Sequence, residues 1–366
     1  MSRSLRRFVL LALLVTTPAT AQSPAPAPAL TPAERDAVID GVLDRVVAHY
    51  VFPDIGKKMA AAVKERRANK EYDTITNGKE LADTLTKHLR EVCKDKHLGV
   101  GYSPDPLPKS MDRGPTAEEE KKMLANAALR NFGFKKVERL SGGVGLLELE
   151  GFMQAEWVGE TAASAMTFLS NSDAVIVDLR KNGGGSPATV ILLCSYFFDS
   201  PTHLNDIYTR TTDSTKQFWT HPVVPGKKLT GKDVYVLTAE RTFSGAEEFA
   251  YNIQSQKRGT IVGETTGGGA HPTRGFRVTD NFGVRVPFAR SINPVTKTNW
   301  EGTGVKPDLP VSADRALHTA HLLALKKAAE KHAGDADRAA ALKRDIEAVQ
   351  KELDQMGAKS APIGKP

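Results

Sequence analysis

Apolar and polar positions follow two different periods along this chain, and the places where the period changes divide it. From Thr31 to about Arg90 the apolar residues recur at helical spacing, as in Val38, Val42, Val46 and Val47, and again in Leu81, Leu85 and Leu89 beyond the turn Thr76-Asn77-Gly78. Thr31, followed by Pro32 and Glu34, has the form of a capped helix start. Residues 103–117 are rich in proline and polar side chains and predict a loop, with a charged helix over 117–130. Beyond it, short buried runs alternate with amphipathic ones. The pattern predicts strands at 144–149, 174–179 and 234–239 and helices at 155–169, 187–198 and 245–256. Further strands are expected at 260–262, 275–278 and 284–288, and helix from Val311 onward, where Leu342, Ile346, Val349 and Leu353 form a stripe that packs on the body or on a partner subunit. Strands alternating with helices predict an α/β core with a largely parallel sheet and right-handed crossovers. The expected organisation is a helical N-terminal domain over 32–91, an α/β domain over 92–311 and a C-terminal helical extension over 312–366.

The first 31 residues add an address. Arg3, Arg6 and Arg7 precede the apolar run from Phe8 to Val15, and Ala19-Thr20-Ala21 offers small residues before Gln22, so residues 1–21 read as a secretory signal and 22–31 as a Pro/Ala linker. The run is far shorter than the ~20 residues a spanning helix needs, so export to a periplasmic or extracellular location without a stable membrane anchor is expected. A hydrophobic content of 40% is enough for a real core, and the net charge of +7 is modest. With no clustered basic stripe interleaved with aromatics, a nucleic-acid partner is not expected. Cys93 and Cys194, the only cysteines, lack zinc-ligand spacing, and whether they pair stays open.

Four stretches carry residue types that do chemistry. In Arg241-Thr242-Phe243-Ser244-Gly245-Ala246-Glu247-Glu248 a serine falls where a strand turns into a helix. A hydroxyl there is raised clear of the sheet, beside free N–H groups that can receive charge developing on a carbonyl oxygen, although Ser244 also suits a plain N-cap. The segment from Asp178 to Pro187 is a buried strand ending in Gly183-Gly184-Gly185, which lets backbone N–H groups approach a ligand or simply makes a tight turn, and it lacks the phosphate-loop and dinucleotide patterns. His97, at the start of an apolar strand, has the pKa range of a general base, and Glu301, beside Trp300 and glycines, is a carboxylate able to orient an imidazole. Taken alone, His97 reads as a structural or merely exposed histidine and Glu301 as a turn residue.

Together, Asp-Leu-Arg-Lys-Asn-Gly-Gly-Gly at 178–185, Thr-Phe-Ser-Gly-Ala-Glu at 242–247, Val-Gly-Glu-Thr-Thr-Gly-Gly at 262–268 and Glu-Gly-Thr-Gly-Val-Lys-Pro-Asp at 301–308 resemble the tail-specific, or C-terminal-processing, serine peptidases. Within them the chain is similar to the branch of tricorn protease and the interphotoreceptor retinoid-binding protein. The resemblance covers about Val92 to Val311 and implies a ClpP/crotonase-like core sheet with helices. It implies Ser244 as acyl-forming nucleophile, with the N–H groups of Gly245 and Gly184 as oxyanion hole. The processing branch uses a lysine base after the nucleophile, but residues 263–273 contain none. The tricorn-like branch uses His and Glu, at positions matched here by His97 and Glu301. His271, on the loop after Gly267-Gly268-Gly269, is a rival base, and Lys96 stands where a bridging serine often completes a tetrad. Nothing between Tyr102 and Gly142 resembles the family's PDZ domain. The implied activity is an exported serine endopeptidase acting on peptides or unfolded protein, with no metal or cofactor and with homo-oligomerisation left open. The alternatives are a hydrophobic-ligand (retinoid- or lipid-like) binding protein on the same fold, and an esterase.

Overall fold

The computed structural model describes residues 29–359; the signal-like segment 1–21 and most of the linker lie outside the described residues. Helix α1 (Pro32–His49) starts as its sequence dictates: Thr31 Oγ1 accepts from Glu34 N–H while the Glu34 carboxylate accepts from Thr31 N–H. α2 (Pro53–Ala68) and α3 (Gly78–Cys93, capped by Asn77) follow, then β1 (Gly99–Tyr102), a short α4 (Ser110–Arg113) and α5 (Ala117–Ala128). The α/β part comprises β2 (Phe134–Arg139), β3 (Val144–Leu149), α6 (Ala155–Leu169), β4 (Ala174–Asp178), α7 (Pro187–Ser195), β5 (His203–Thr209), β6 (Ser214–Trp219), β7 (Asp233–Thr238), α8 (Gly245–Ser255) and β8 (Thr260–Gly263). It continues through β9 (Thr273–Arg277), β10 (Phe282–Pro287), β11 (Ala289–Ile292) and β12 (Leu309–Pro310) to α9 (Ala316–Lys331) and α10 (Ala336–Lys359).

The central sheet has six strands in the order β12-β8-β7-β4-β3-β2, parallel except for the antiparallel edge pair β2–β3. Central strands β4 and β7 bury side chains on both faces, which is why they read as continuous apolar runs. One face, with Val175, Val177, Val234 and Val236, packs against residues of α6, α7 and α8. The other, with Ile176, Tyr235 and Leu237, packs on α9 and α10. Leu342, Val349 and Leu353 are buried there, so the C-terminal stripe packs on the body of the chain.

A separate core joins α1, α2 and α3 to β1 and β10, through Val42, Leu85, Val100, Phe282 and Val284. The antiparallel sheet β1-β10-β9 thus draws residues 273–287 back onto the helical N-terminal body. A third sheet, β11-β5-β6, and the edge strand β2 were not expected from the sequence. β2 and β6 carry mostly outward-facing charged and polar side chains, so neither shows an apolar alternation. Among the described residues no helix is long and apolar enough to cross a membrane. Both cysteines are free thiols.

Candidate active site

Ser244 sits at the junction of β7 and α8 with φ +55° and ψ −122°, a conformation that costs a non-glycine residue about 1–3 kcal/mol. Its surroundings over-determine that turn. Thr242 donates its hydroxyl to Leu179 O at 2.9 Å and accepts from Ala239 N–H, and Phe243 N–H donates to Asn182 O at 3.1 Å. Glu247, wholly buried, accepts from the N–H groups of Ser244 (2.8 Å), Gly268 (2.6 Å) and Gly269 (2.8 Å) and from the Thr266 hydroxyl. Burial raises its pKa, and those four donors oppose the rise. One carboxyl therefore clamps the serine turn to the glycine loop that follows β8.

The glycine cluster after β4 lies against this turn. Asp178 holds Arg180 through two hydrogen bonds, of 2.9 and 2.6 Å, and Asn182 donates to Leu149 O at 2.9 Å, which pins the loop to the sheet. Gly184 has φ +100°, and a Cβ there would stand 2.6 Å from Gly245 N and 2.8 Å from Ser244 Cβ, so only glycine lets the two loops touch. The Gly184 N–H, expected as an oxyanion donor, is engaged in this structure. It is given to Asn182 Oδ1 at 2.8 Å, whereas Gly185 N–H and Gly245 N–H have no acceptor among the described residues. Of the two glycines that face Ser244 and Gly245, the one with an unspent N–H is Gly185.

Across the site stand four titratable side chains from three distant segments. Asp95 and His97 come from the loop between α3 and β1, His271 from the loop between β8 and β9, and Glu301 from the loop after β11. Asp95, 1% exposed, accepts His97 N–H at 2.9 Å through Oδ1, while its Oδ2 lies 2.7 Å from His271 Nδ1 and 3.4 Å from the Tyr50 hydroxyl, which donates to it. Since a carboxylate only accepts, His271 carries its proton on Nδ1 and keeps Nε2 free. The His97 ring packs on Phe243, the residue before Ser244, with centroids 4.6 Å apart. A Cβ at Gly269 would stand 2.6 Å from His97 Cε1, so this glycine admits the imidazole. Glu301 Oε2 accepts Ala270 N–H at 2.6 Å and lies 3.5 Å from His271 Nδ1.

Two atoms in this cluster are shut from solvent and make no hydrogen bond: His97 Nδ1, which lies 3.9 Å from Asp95 Oδ1, and Glu301 Oε1. A ring nitrogen of His97 and carboxylate oxygens of Glu301 and Asp95 lie within 4.8 Å of one another, close enough for this set to hold a metal ion as well as a proton. Burial pulls the His97 pKa down to about 4 and pushes that of Glu301 up to about 7, the latter helped by the Asp95 charge.

Ser244 and His271 line one cavity of about 190 Å³, together with Gly185, Gly245, Glu248 and Trp300. His97 is not on that cavity's wall, and neither imidazole is hydrogen-bonded to the Ser244 hydroxyl among the described residues. Lys96, in the place of a bridging serine, donates instead to Gly267 O at 2.6 Å and ties the His97 loop to the glycine loop. Asp95 and Glu247 are the structural partners that reading the sequence missed. Glu247 had a signal, since a glutamate three residues after an N-cap serine is the mark of a capping box.

Comparison with known proteins bears on both halves of the site. Residues 143–311 match Peptidase family S41, and residues 30–131 match the N-terminal domain of Peptidase_S41 in eukaryotic IRBP. Over 150 residues, 39% of this chain and 27% of the relative, the sequence is 28% identical to the chloroplastic carboxyl-terminal-processing peptidase 2 of Arabidopsis thaliana. It is also 28% identical over 137 residues, 37% of this chain and 30% of the relative, to the carboxyl-terminal-processing protease of Synechocystis sp.. The chain thus spans less than a third of the length of either curated relative. The tricorn protease superposes with a TM-score of 0.53 over 81% of this chain and 37% of that one, at 12% identity, a likeness of fold. Ser244, Gly185 and Glu301 lie in the region that matches Peptidase family S41, and His97 lies in the region that matches the N-terminal domain of that family.

Proposed function

We propose that this chain is a serine endopeptidase that cleaves peptides or unfolded protein through an acyl-enzyme on Ser244. The backbone of Ser244 carries the reading: a strained positive φ at a strand-to-helix turn, with two unspent N–H groups, of Gly245 and Gly185, beside it. In this scheme neutral His97 takes the serine proton as Oγ attacks the substrate carbonyl. The oxyanion forms against the N–H groups of Gly245 and Gly185, each such donor being worth about 10²–10³ in rate. Glu301 holds the imidazolium, a pairing supported by the two orphaned atoms His97 Nδ1 and Glu301 Oε1. His97 then protonates the leaving amine, and a water deprotonated by the same imidazole releases the acyl group.

A second reading of the base rests on a specific observation: His271 shares a cavity with Ser244 and has its Nδ1–H directed by Asp95. In that reading His271 Nε2 takes the proton and Asp95 plays the part given above to Glu301. Export, carried by residues 1–21, is part of the proposal and is checked by N-terminal sequencing of the secreted protein. The activity is tested by hydrolysis of a casein-like substrate with wild type and Ser244→Ala. Loss in the variant with the fold intact is expected, and equal rates overturn the proposal. An inactive wild type that co-purifies with a lipid would favour the hydrophobic-ligand reading.

A further inference from the structure

The cavity beside Ser244 reaches a side chain that the chemistry above leaves unused. Glu248 stands four residues after Ser244, in the first turn of α8, and both line this cavity. It is 4% exposed, and it is the only carboxylate on a wall that carries no lysine or arginine. Its Oε1 accepts one hydrogen bond, from Asn205 Nδ2 at 3.1 Å, and Asn205 also donates to Ser291 Oγ at 3.3 Å. A carboxylate offers about four acceptor sites, so most of its capacity is unspent on the wall of a pocket that Ser244 also lines. The volume of about 190 Å³ equals roughly six waters.

Resting on Ser244 as the nucleophile, we propose that this cavity receives the side chain of the residue whose carbonyl is attacked, and that Glu248 selects a basic side chain there. The ammonium or guanidinium group pairs with the Glu248 carboxylate, while the aliphatic stem lies against Trp300 and Ala270. Burial pushes the Glu248 pKa up to about 7, so the empty pocket holds a partly protonated acid that ionises fully when a cation enters. The groups facing it are Asn205 from β5, Ser291 from β11, Cys194 from α7 and His271 across the cavity. The Cys194 thiol is kept neutral by its own burial.

The test is a peptide series identical except for Lys, Gln or Leu at the position before the cleaved bond, read as the Lys-to-Leu ratio of kcat/KM. Wild type is expected to prefer Lys by about 10- to 100-fold above about pH 8, the worth of a charge-assisted hydrogen bond in a dry pocket. The ratio should fall as pH drops through about 7, and Glu248→Gln should bring it near one. Any titration of Glu301 cancels in the ratio. A wild type that prefers Leu, or a preference for Lys unchanged in Glu248→Gln, overturns the inference. Should that variant fail to fold, a wild-type ratio flat between about pH 6 and about pH 9 does the same. Wild type labelled by a fluorophosphonate at Ser244 without the Lys preference would sink this inference and leave the peptidase reading standing, whereas no labelling would sink both.

Discussion

The two halves of the site are held by different physics. The serine half starts from local structure: β7 and the first turn of α8 set the Ser244 turn, and Glu247 locks it with four hydrogen bonds, three of them to the glycine loop after β8. The imidazole half is assembled from afar. Asp95 and His97 stand on the N-terminal body, whose core of α1, α2, α3, β1 and β10 is distinct from that beneath Ser244. They meet His271 and Glu301 only because the chain returns after β8 and again after β11. A nucleophile set by local geometry tolerates distant change, whereas a base carried on another body depends on how the two bodies dock. Contacts such as Lys96 to Gly267 O and Arg210 to Tyr50 O, at 2.6 and 2.8 Å, join those bodies and bear on rate more than on stability.

The sharpest way to break this contrast is to remove each imidazole separately. His97→Ala is expected to lower kcat/KM by about 10³-fold or more, and His271→Ala by about tenfold through loss of the partner that steadies Asp95. An active His97→Ala alongside a dead His271→Ala would transfer the base to the loop after β8. Next in size, Glu247→Ala strips the acceptor from three N–H groups and a hydroxyl. It should destabilise the protein by about 2–4 kcal/mol in urea denaturation, and a change below about 0.5 kcal/mol would show that the serine turn is held by something else.

A smaller effect separates Glu301 from the rest. Its raised pKa means that below about pH 7 the carboxyl is protonated and cannot hold an imidazolium, so kcat/KM on a neutral peptide should climb with pH through about 7. Burial keeps His97 neutral down to about pH 4, so that limb does not come from the proposed base itself. Glu301→Gln should flatten it, and a limb that persists in the variant would assign it to another group.

The local half of the site was legible in the sequence. A continuous apolar run, a serine and then a helical apolar stripe fix the strand, the turn and the helix, and the structure places them within a residue of the expected ends. What the sequence did not show is that asparagine at 182 makes a local turn by accepting from the Gly184 N–H two residues on, which engages that donor. The pairing of Asp95 with His271, 176 positions apart, leaves no periodic or local trace. Glu248 also stayed hidden, because an acid in the first turn of a helix looks like a solvated partner of the helix dipole until the fold buries it. Strands β2 and β6 escaped for the converse reason, being ordered by pairing while their side chains face outward.

The most direct test of the account is where a fluorophosphonate probe attaches. Mass mapping of labelled wild-type protein should find a single adduct on Ser244, formed much more slowly in His97→Ala and absent in Ser244→Ala. An adduct on another residue, or none on a folded wild type, would contradict the central claim that this strained serine is an activated nucleophile.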